Sequence, residues 1–348
     1  MKRPLAYAAA MVTLLTSAAA SPCGMSFGNN VTIDPHQDII VAWKDGVETY
    51  SFQPTFCGTA TDFGLILPVP SLLSQEPKTT EQNAFNTAAT LSEPNKHEVT
   101  EQSNIAGCGA SESNAGGAAA DDSPAVVASG HVGFLDWVQL KATTESSFTD
   151  WLTANGYAYS SAASSVFSYY VTKGWYFLAF RISQDAVSGN GTVCRALGPV
   201  TLSFPTPDPV VPSRMAAADS TNAYSRVTWR IFGITHGDVQ LTFSAANSDQ
   251  VLWYSGAIKD ADVGSFGGVA QSGDRLTRLT YSFYKISASA DVNLTLAPAQ
   301  DYRGTEDVVV HDDSACSIRP HSRLPHSGLL SLAGLTIVAL FAWRRYRP

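Results

Sequence analysis

The sequence predicts a β-rich α+β fold: antiparallel, sandwich-like sheets with two short helices, an N-terminal signal peptide before them and a C-terminal transmembrane helix after them. Three features predict it. Short segments rich in aromatic and β-branched residues recur between turn signals. Several of them alternate, as in Leu276-Thr277-Arg278-Leu279-Thr280-Tyr281-Ser282-Phe283, the pattern of a half-buried antiparallel strand. Brief apolar runs stand at both tips of the 348-residue chain.

At the N-terminus, Met1-Lys2-Arg3 is a positive n-region and Leu5 to Leu15 an apolar stretch. That stretch is too short to span about 30 Å of hydrocarbon, which separates a signal peptide from a membrane helix. Ala18-Ala19-Ala20 supplies small residues ahead of a cleavage between Ala20 and Ser21. Pro22 before Cys23 departs from a lipoprotein signal, which wants Gly, Ala or Ser there.

The mature chain opens on a hairpin. Asp38 to Trp43 and Val47 to Phe56 flank Lys44-Asp45-Gly46, where Asp-Gly accepts positive φ. Asp62 to Leu67 follows as a buried strand, expected to end at Pro68-Val69-Pro70. From Lys78 to Pro124 aromatic residues nearly vanish, and Ala106 to Asp122 is rich in Gly, Ala, Ser and Asp. Too little apolar surface is available there to offset ordering, so a solvated insertion is expected.

Order resumes at His131 to Lys141. In Ser147 to Leu152, Phe148, Trp151 and Leu152 fall at helical spacing, and Asn155-Gly156 is the stop. Ser164 to Lys173 predicts a second helix, with Val166, Tyr169 and Tyr170 on one face and Gly174 ending it. Trp175 to Ile182, Val200 to Phe204, Arg226 to Ile234, Val239 to Ser244, Val251 to Ile258, Arg275 to Ile286 and Val292 to Leu296 predict strands. No internal repeat is evident.

Ser327 to Trp343, at about 1.5 Å per residue, gives roughly 25 Å, a minimal bilayer span. Arg344, Arg345 and Arg347 place the extreme C-terminus on the cytoplasmic side. A buried core helix is the competing reading, and the polar Ser317 to His326 argues against it. The expected organisation is a signal peptide (1–20), an N-terminal hairpin region (21–77), a flexible low-complexity insertion (78–124) and a main β-rich ectodomain (125–300). A polar linker with a sorting cysteine (301–326), a transmembrane helix (327–343) and an Arg-rich tip (344–348) complete it.

Composition narrows the function classes. Hydrophobic residues are 45% and charged residues 15% of the chain, with a formal charge of −8. Phosphate binding needs clustered Lys and Arg, so nucleic acid is excluded as a partner. In an exported chain disulfides are permitted, and setting Cys316 aside leaves Cys23, Cys57, Cys108 and Cys194 with three possible pairings. Cys23–Cys57 with Cys108–Cys194 is the preferred set, because it ties the mature N-terminus to the end of the first hairpin. No pair has the C-x-x-C spacing of a zinc or redox site.

Catalytic and ligand motifs are not found. His36, His97, His131, His236, His311, His321 and His326 are dispersed, with no H-E-x-x-H. No G-x-S-x-G elbow supports a Ser-His-Asp set. Cys194 with His131 could form a nucleophile–base pair, although a disulfide suits an exported cysteine better. Asp260, Asp262 and Asp274 could hold calcium, but their spacing is not that of an EF-hand and turn chemistry accounts for them. Trp175, Tyr176, Phe177, Phe180, Trp229, Phe232, Trp253 and Tyr254 could stack on carbohydrate; such residues in strands are far more often core. No cofactor or metal is expected.

Several segments together resemble the bacterial family DUF2330. They are Cys23-Gly24, Ile39-Ile40-Val41-Ala42-Trp43, Asp62-Phe63-Gly64-Leu65-Ile66-Leu67-Pro68-Val69-Pro70 and Trp151-Leu152 with Asn155-Gly156-Tyr157. Tyr170, Gly174-Trp175-Tyr176-Phe177, Pro199 to Phe204 and Pro212 complete the set, over roughly residues 22 to 245. The resemblance implies an exported bacterial protein and brings no catalytic residues. Cys316, a short spacer, an apolar helix and a terminal Arg cluster also resemble the myxobacterial MYXO-CTERM sorting signal. That resemblance implies processing near Cys316 by a membrane-embedded envelope protease, with Cys316 a candidate for lipid attachment.

The function expected is that of an envelope-anchored surface protein, non-enzymatic, serving as a structural, adhesive or binding module for a surface ligand or protein. The alternatives are an exported hydrolase with a site assembled from distant residues, and an envelope-assembly factor.

Overall fold

The computed structural model describes residues 25–27, 32–33, 36–53, 55–58, 64–100, 124–157, 159–183, 193–218, 224, 226–244 and 249–310. The chain divides into two compact units, residues 1–97 with 107–308, and residues 98–106 with 309–348. The architecture below is that of the first.

Its centre is an eight-stranded sheet built on the expected hairpin. Strands β3 (His36–Lys44) and β4 (Val47–Phe52) join through Asp45 and Gly46, both at positive φ (52° and 77°). Two successive left-handed residues match the twist of the flanking strands, which is why Asp-Gly works there. On one side β4 pairs with β13 (Val200–Pro205), and β13 with β7 (Lys78–Thr79). On the other, β3 runs parallel to β15 (Arg226–His236), which pairs with β18 (Asp274–Tyr284), β17 (Gln250–Ala257) and β20 (Tyr302–Arg303) in turn. The β3–β15 pair departs from the antiparallel expectation. A parallel neighbour needs a long crossover, and residues 45–225 supply it.

A second sheet of five strands carries β6 (Gly64–Val69) between β1 (Met25–Phe27) and β11 (Tyr176–Ile182). Beyond β11 come β10 (Leu135–Lys141) and β9 (Ala125–Val132). Strand β6 continues through Pro68, which faces Phe177, instead of stopping there. Among the described residues its pairing with β1 spans Gly64 to Ile66, short of Pro68, and a proline is tolerated where its missing N–H is not needed by a neighbouring strand. A small sheet orders β14 (Val210–Val211), β19 (Val292–Pro298) and β16 (Val239–Phe243). Another orders β12 (Val193–Ala196), β5 (Thr55–Gly58) and β2 (Thr32–Ile33). The described chain runs out in β21 (Thr305–Val310).

Strand alternation sorts the apolar side chains into three cores. Ile39, Val41, Tyr50 and Phe52 of the central sheet meet Leu65, Leu67, Leu178 and Phe180 of the five-stranded sheet. On the far face of that second sheet, Ile66, Phe177 and Ala179 receive α2 (Glu145–Ala154) and α3 (Ser161–Thr172) through Phe148, Leu152, Val166 and Phe167. Phe148 stacks on Phe177 with centroids 4.0 Å apart, and Phe167 sets its edge 4.9 Å from Phe148. Such pairs add about 0.5–1.5 kcal/mol beyond burial alone. Thr144 and Ser147 form a capping box at the start of α2, and Gly156 at φ 72° ends it as the sequence predicts.

On the far face of the central sheet, Ile40, Phe232, Ile234 and Leu276 are covered by α1 (Gln82–Leu91) and by Phe266, just after α4 (Asp260–Val263). Helix α1 corrects the expected insertion. Residues 78–100 carry β7, α1 and β8 (Asn95–Thr100), because Ala84, Phe85 and Ala88 form a stripe narrow enough to seat one Phe against the sheet. Residues 21–77 and 125–300 share sheets, since β3 and β4 lie between β15 and β13, and β6 between β1 and β11. Among the described residues no helix is long and apolar enough to cross a membrane. The expected signal peptide and transmembrane helix lie outside the described residues.

Candidate functional site

Burying a carboxylate is costly unless charges or hydrogen bonds compensate it, so buried acids mark where a fold concentrates its polar chemistry. Asp291, just ahead of β19, has a fully enclosed side chain. It accepts the Tyr170 hydroxyl at 2.5 Å, the Tyr169 hydroxyl at 3.2 Å, the Lys173 ammonium at 3.0 Å and the Arg214 backbone N–H at 3.4 Å. Tyr169, Tyr170 and Lys173 share one end of α3, so a single helical turn delivers three donors. Lys173 also sits 4.6 Å from the Tyr169 ring centroid and 4.5 Å from that of Trp175, while the Arg214 guanidinium lies 4.1 Å over Tyr169.

The electrostatics make this cluster a clamp. Burial, and then the Asp291 charge, push the Tyr170 hydroxyl well above its usual value. Burial pulls the Lys173 ammonium down, but its contacts with Tyr169 and Asp291 outweigh that and raise it. Lys173 therefore stays protonated, the opposite of what a nucleophilic or Schiff-base lysine needs. The clamp ties α3, the turn at Ser213–Ala218 and the start of β19 together.

Glu48 is the second buried acid. It shares the inward face of β4 with Tyr50 and Phe52 and is fully buried. The Val210 N–H donates to its Oε2 at 2.9 Å, while Oε1 has no partner. Burial pushes its pKa from 4.5 up to about 8, against the opposing bond from Val210, so the acid is largely neutral at pH 7.

A third group lies on the far face of the central sheet, beside the part α1 covers. Register sets Asp38 opposite Arg230, and two hydrogen bonds of 2.6 Å join them as a bidentate pair. Arg278 faces Phe232 on one side and Tyr254 on the other, and Tyr254 faces Arg303. Arg303 lies 4.6 Å over the Tyr254 ring and donates to the carbonyls of Leu91 and Glu93 at the end of α1. Burial, and then the Arg230 guanidinium, depress the pKa of Arg278, and its Nε is buried without a partner. Three guanidiniums thus share one sheet face, two of them tied to the protein's own oxygens.

Among the described residues, those singled out in the sequence do not converge. His97 pairs with Asp307, His131 with Asp136 and His236 with Asp274, each at 2.8–2.9 Å, in three separate places. His131 lies in β9 and Cys194 in β12, in different sheets. Asp274 accepts from the Gln271 N–H and Asp260 from the Ser272 hydroxyl, as turn residues do. Among the described residues no three His, Cys, Asp or Glu side chains gather closely enough for a metal ion. Phe177, Phe180, Trp229 and Phe232 are fully buried core, while Tyr176, Trp253 and Tyr254 are half-buried. Ala20, Ser21, Cys23, Cys108 and Cys316 lie outside the described residues. Cys57 and Cys194 are placed by the backbone, as register partners in the β5–β12 ladder.

Sequence inspection missed Asp291, Lys173, Glu48, Asp38 and Arg230. Tyr169-Tyr170 with Lys173 one turn on was a usable local signal for the clamp. Asp291 and Glu48 gave none, since their burial depends on distant strands.

These features define a layered, β-rich α+β protein with buried acids set among its own donors. The chain belongs to a bacterial family described as "Uncharacterized protein conserved in bacteria (DUF2330)", whose model matches residues 17–314. No curated protein matches it. Among solved structures, the crystal structure of baculovirus P35 is similar over 77% of this chain and 98% of that chain, at 9% identity and a TM-score of 0.34. A likeness at that score carries no argument.

Proposed function

We propose that this member of the family is exported and anchored in the cell envelope, where it serves as a non-enzymatic structural, adhesive or binding module. The observation that carries this reading is the order of parts along the chain. A positive n-region, a short apolar run and Ala20-Ser21 open it, and Cys316, the apolar Ser327 to Trp343 and a terminal Arg cluster close it. The family match ends at residue 314, just ahead of Cys316, which supports reading the tail as an appended part. On this reading the tail acts as a MYXO-CTERM-type signal, an envelope protease processes it, and Cys316 carries lipid.

A binding or structural role suits the polar chemistry of the body. Asp291 and Asp38 bond to the protein's own cations and hydroxyls, and Lys173 is held protonated. Such groups hold neighbouring elements in place. Intact mass and fractionation of the mature protein test the proposal. Recovery in the membrane fraction without residues 1–20, with lipid mass on Cys316 or a trimmed tail, is expected. A full-length product in the cytosolic fraction refutes it.

A further inference from the structure

Strands β4 and β5 run one after the other, and so do β12 and β13, so the two ladders they form are consecutive stretches of one antiparallel ribbon. In the first, Phe52 faces Val200. In the next, Thr55 faces Ala196, Phe56 faces Arg195, Cys57 faces Cys194 and Gly58 faces Val193. Between Phe52 and Thr55 the chain advances three positions while its partner retreats four, a single-residue offset of the kind a β-bulge makes. The β4–β13 ladder is fixed by the core, since Tyr50, Phe52, Val200, Leu202 and Phe204 are all buried there. Slipping it by one residue would turn those side chains out of the core, so that ladder's register is strongly set, and the β5–β12 ladder follows it one residue out of step.

From this juxtaposition we infer that Cys57 and Cys194 form a cross-strand disulfide, the staple of the β5–β12 ribbon. Directly opposed residues in an antiparallel ladder have Cα atoms about 4.5–5.5 Å apart. A disulfide closes across roughly 4.4–6.8 Å. The pairing differs from the Cys23–Cys57 and Cys108–Cys194 set preferred from the sequence, and it leaves Cys23 and Cys108 as the remaining pair.

Forming the bond needs a two-electron oxidant, here a disulfide-bearing thiol oxidant. One cysteine thiolate attacks a sulfur of that oxidant and releases the oxidant's other sulfur as a thiolate. The second cysteine thiolate then attacks the mixed disulfide, closing the Cys57–Cys194 bond and releasing the second oxidant thiolate. The protons of the two cysteines end on the oxidant, which leaves as the reduced dithiol. The inference rests on the export reading only for the supply of that oxidant in the cell. The register stands independently of it.

The test keeps the two apart. Full-length protein is alkylated at the moment of lysis, isolated without reductant, digested and mapped by mass spectrometry. A peptide linking Cys57 to Cys194, lost on reduction and retained in the Cys108→Ser variant, is the expected result. Bonding of Cys57 or Cys194 to Cys23, Cys108 or Cys316 overturns it. Should both cysteines be alkylated at lysis, folded reduced protein is incubated with glutathione disulfide and mapped again. Linkage of Cys57 to Cys194 then supports the inference and counts against an oxidising compartment, whereas failure to link them overturns the inference whatever the compartment.

Discussion

Replacing Glu48 by Gln should stabilise the protein, and by an amount that grows with pH. The folded state holds the Glu48 proton up to about pH 8, whereas the unfolded chain releases it near 4.5. Between those values the unfolded state binds fewer protons than the folded one, so stability falls as pH rises, by about 1.4 kcal/mol per pH unit. Below pH 4.5 both states are protonated and the effect is absent; above pH 8 both are ionised and its full size, about 4–5 kcal/mol, is reached. Gln keeps an oxygen for the Val210 N–H and cannot ionise. The gap in unfolding free energy between E48Q and the parent protein should therefore widen by roughly 3 kcal/mol from pH 5 to pH 7.5, a large part of a typical total of about 5–15 kcal/mol. Urea titration followed by tryptophan fluorescence at both pH values measures it. A gap that stays constant across that range would refute the argument, because it would mean Glu48 ionises alike in both states.

Three other perturbations probe separate parts of the structure. Asp291→Asn leaves the Lys173 ammonium without its countercharge and should cost about 2–4 kcal/mol, read as a lower urea midpoint; a change under about 0.5 kcal/mol would remove the clamp from the account of stability. Gly233→Ala, in β15, would bring a Cβ to 2.9 Å from the Cβ and Cδ1 of Leu241 and should cost about 1–3 kcal/mol by thermal unfolding. Serine at both Cys57 and Cys194 should lower the stability of oxidised protein by up to about 5 kcal/mol, the chain-entropy ceiling for a loop of roughly 140 residues, and should change nothing once the parent protein is reduced.

Local pattern made much of this fold legible. Asp45-Gly46 marked its hairpin, Phe148, Trp151 and Leu152 marked α2, and the alternation from Leu276 to Phe283 marked β18. In each case the signal lies within one element, where side-chain period and turn chemistry act directly. Helix α1 was missed because its stripe is only Ala84, Phe85 and Ala88 among Asn and Thr, too sparse to stand out before the sheet it covers is known. Pro68 misled for a related reason. A proline ends a strand only where its missing N–H was needed, and that depends on which neighbours flank β6.

Neighbour choice is what period alone cannot encode. A run such as Ile39-Ile40-Val41 announces a strand buried on both faces, but its partners β4 and β15 are separated by about half of the chain, and one of them is parallel. The same limit applies to the polar groups. Glu48 carries no local sign of burial, and in the fold it lies fully enclosed with the Val210 N–H donating to it. Cys57 and Cys194 illustrate it most directly: tying the mature N-terminus to the first hairpin favours Cys23–Cys57, while the backbone register sets Cys57 opposite Cys194. A cysteine pairing is a statement about strand neighbours, so it becomes readable only when the register of the whole ribbon is known.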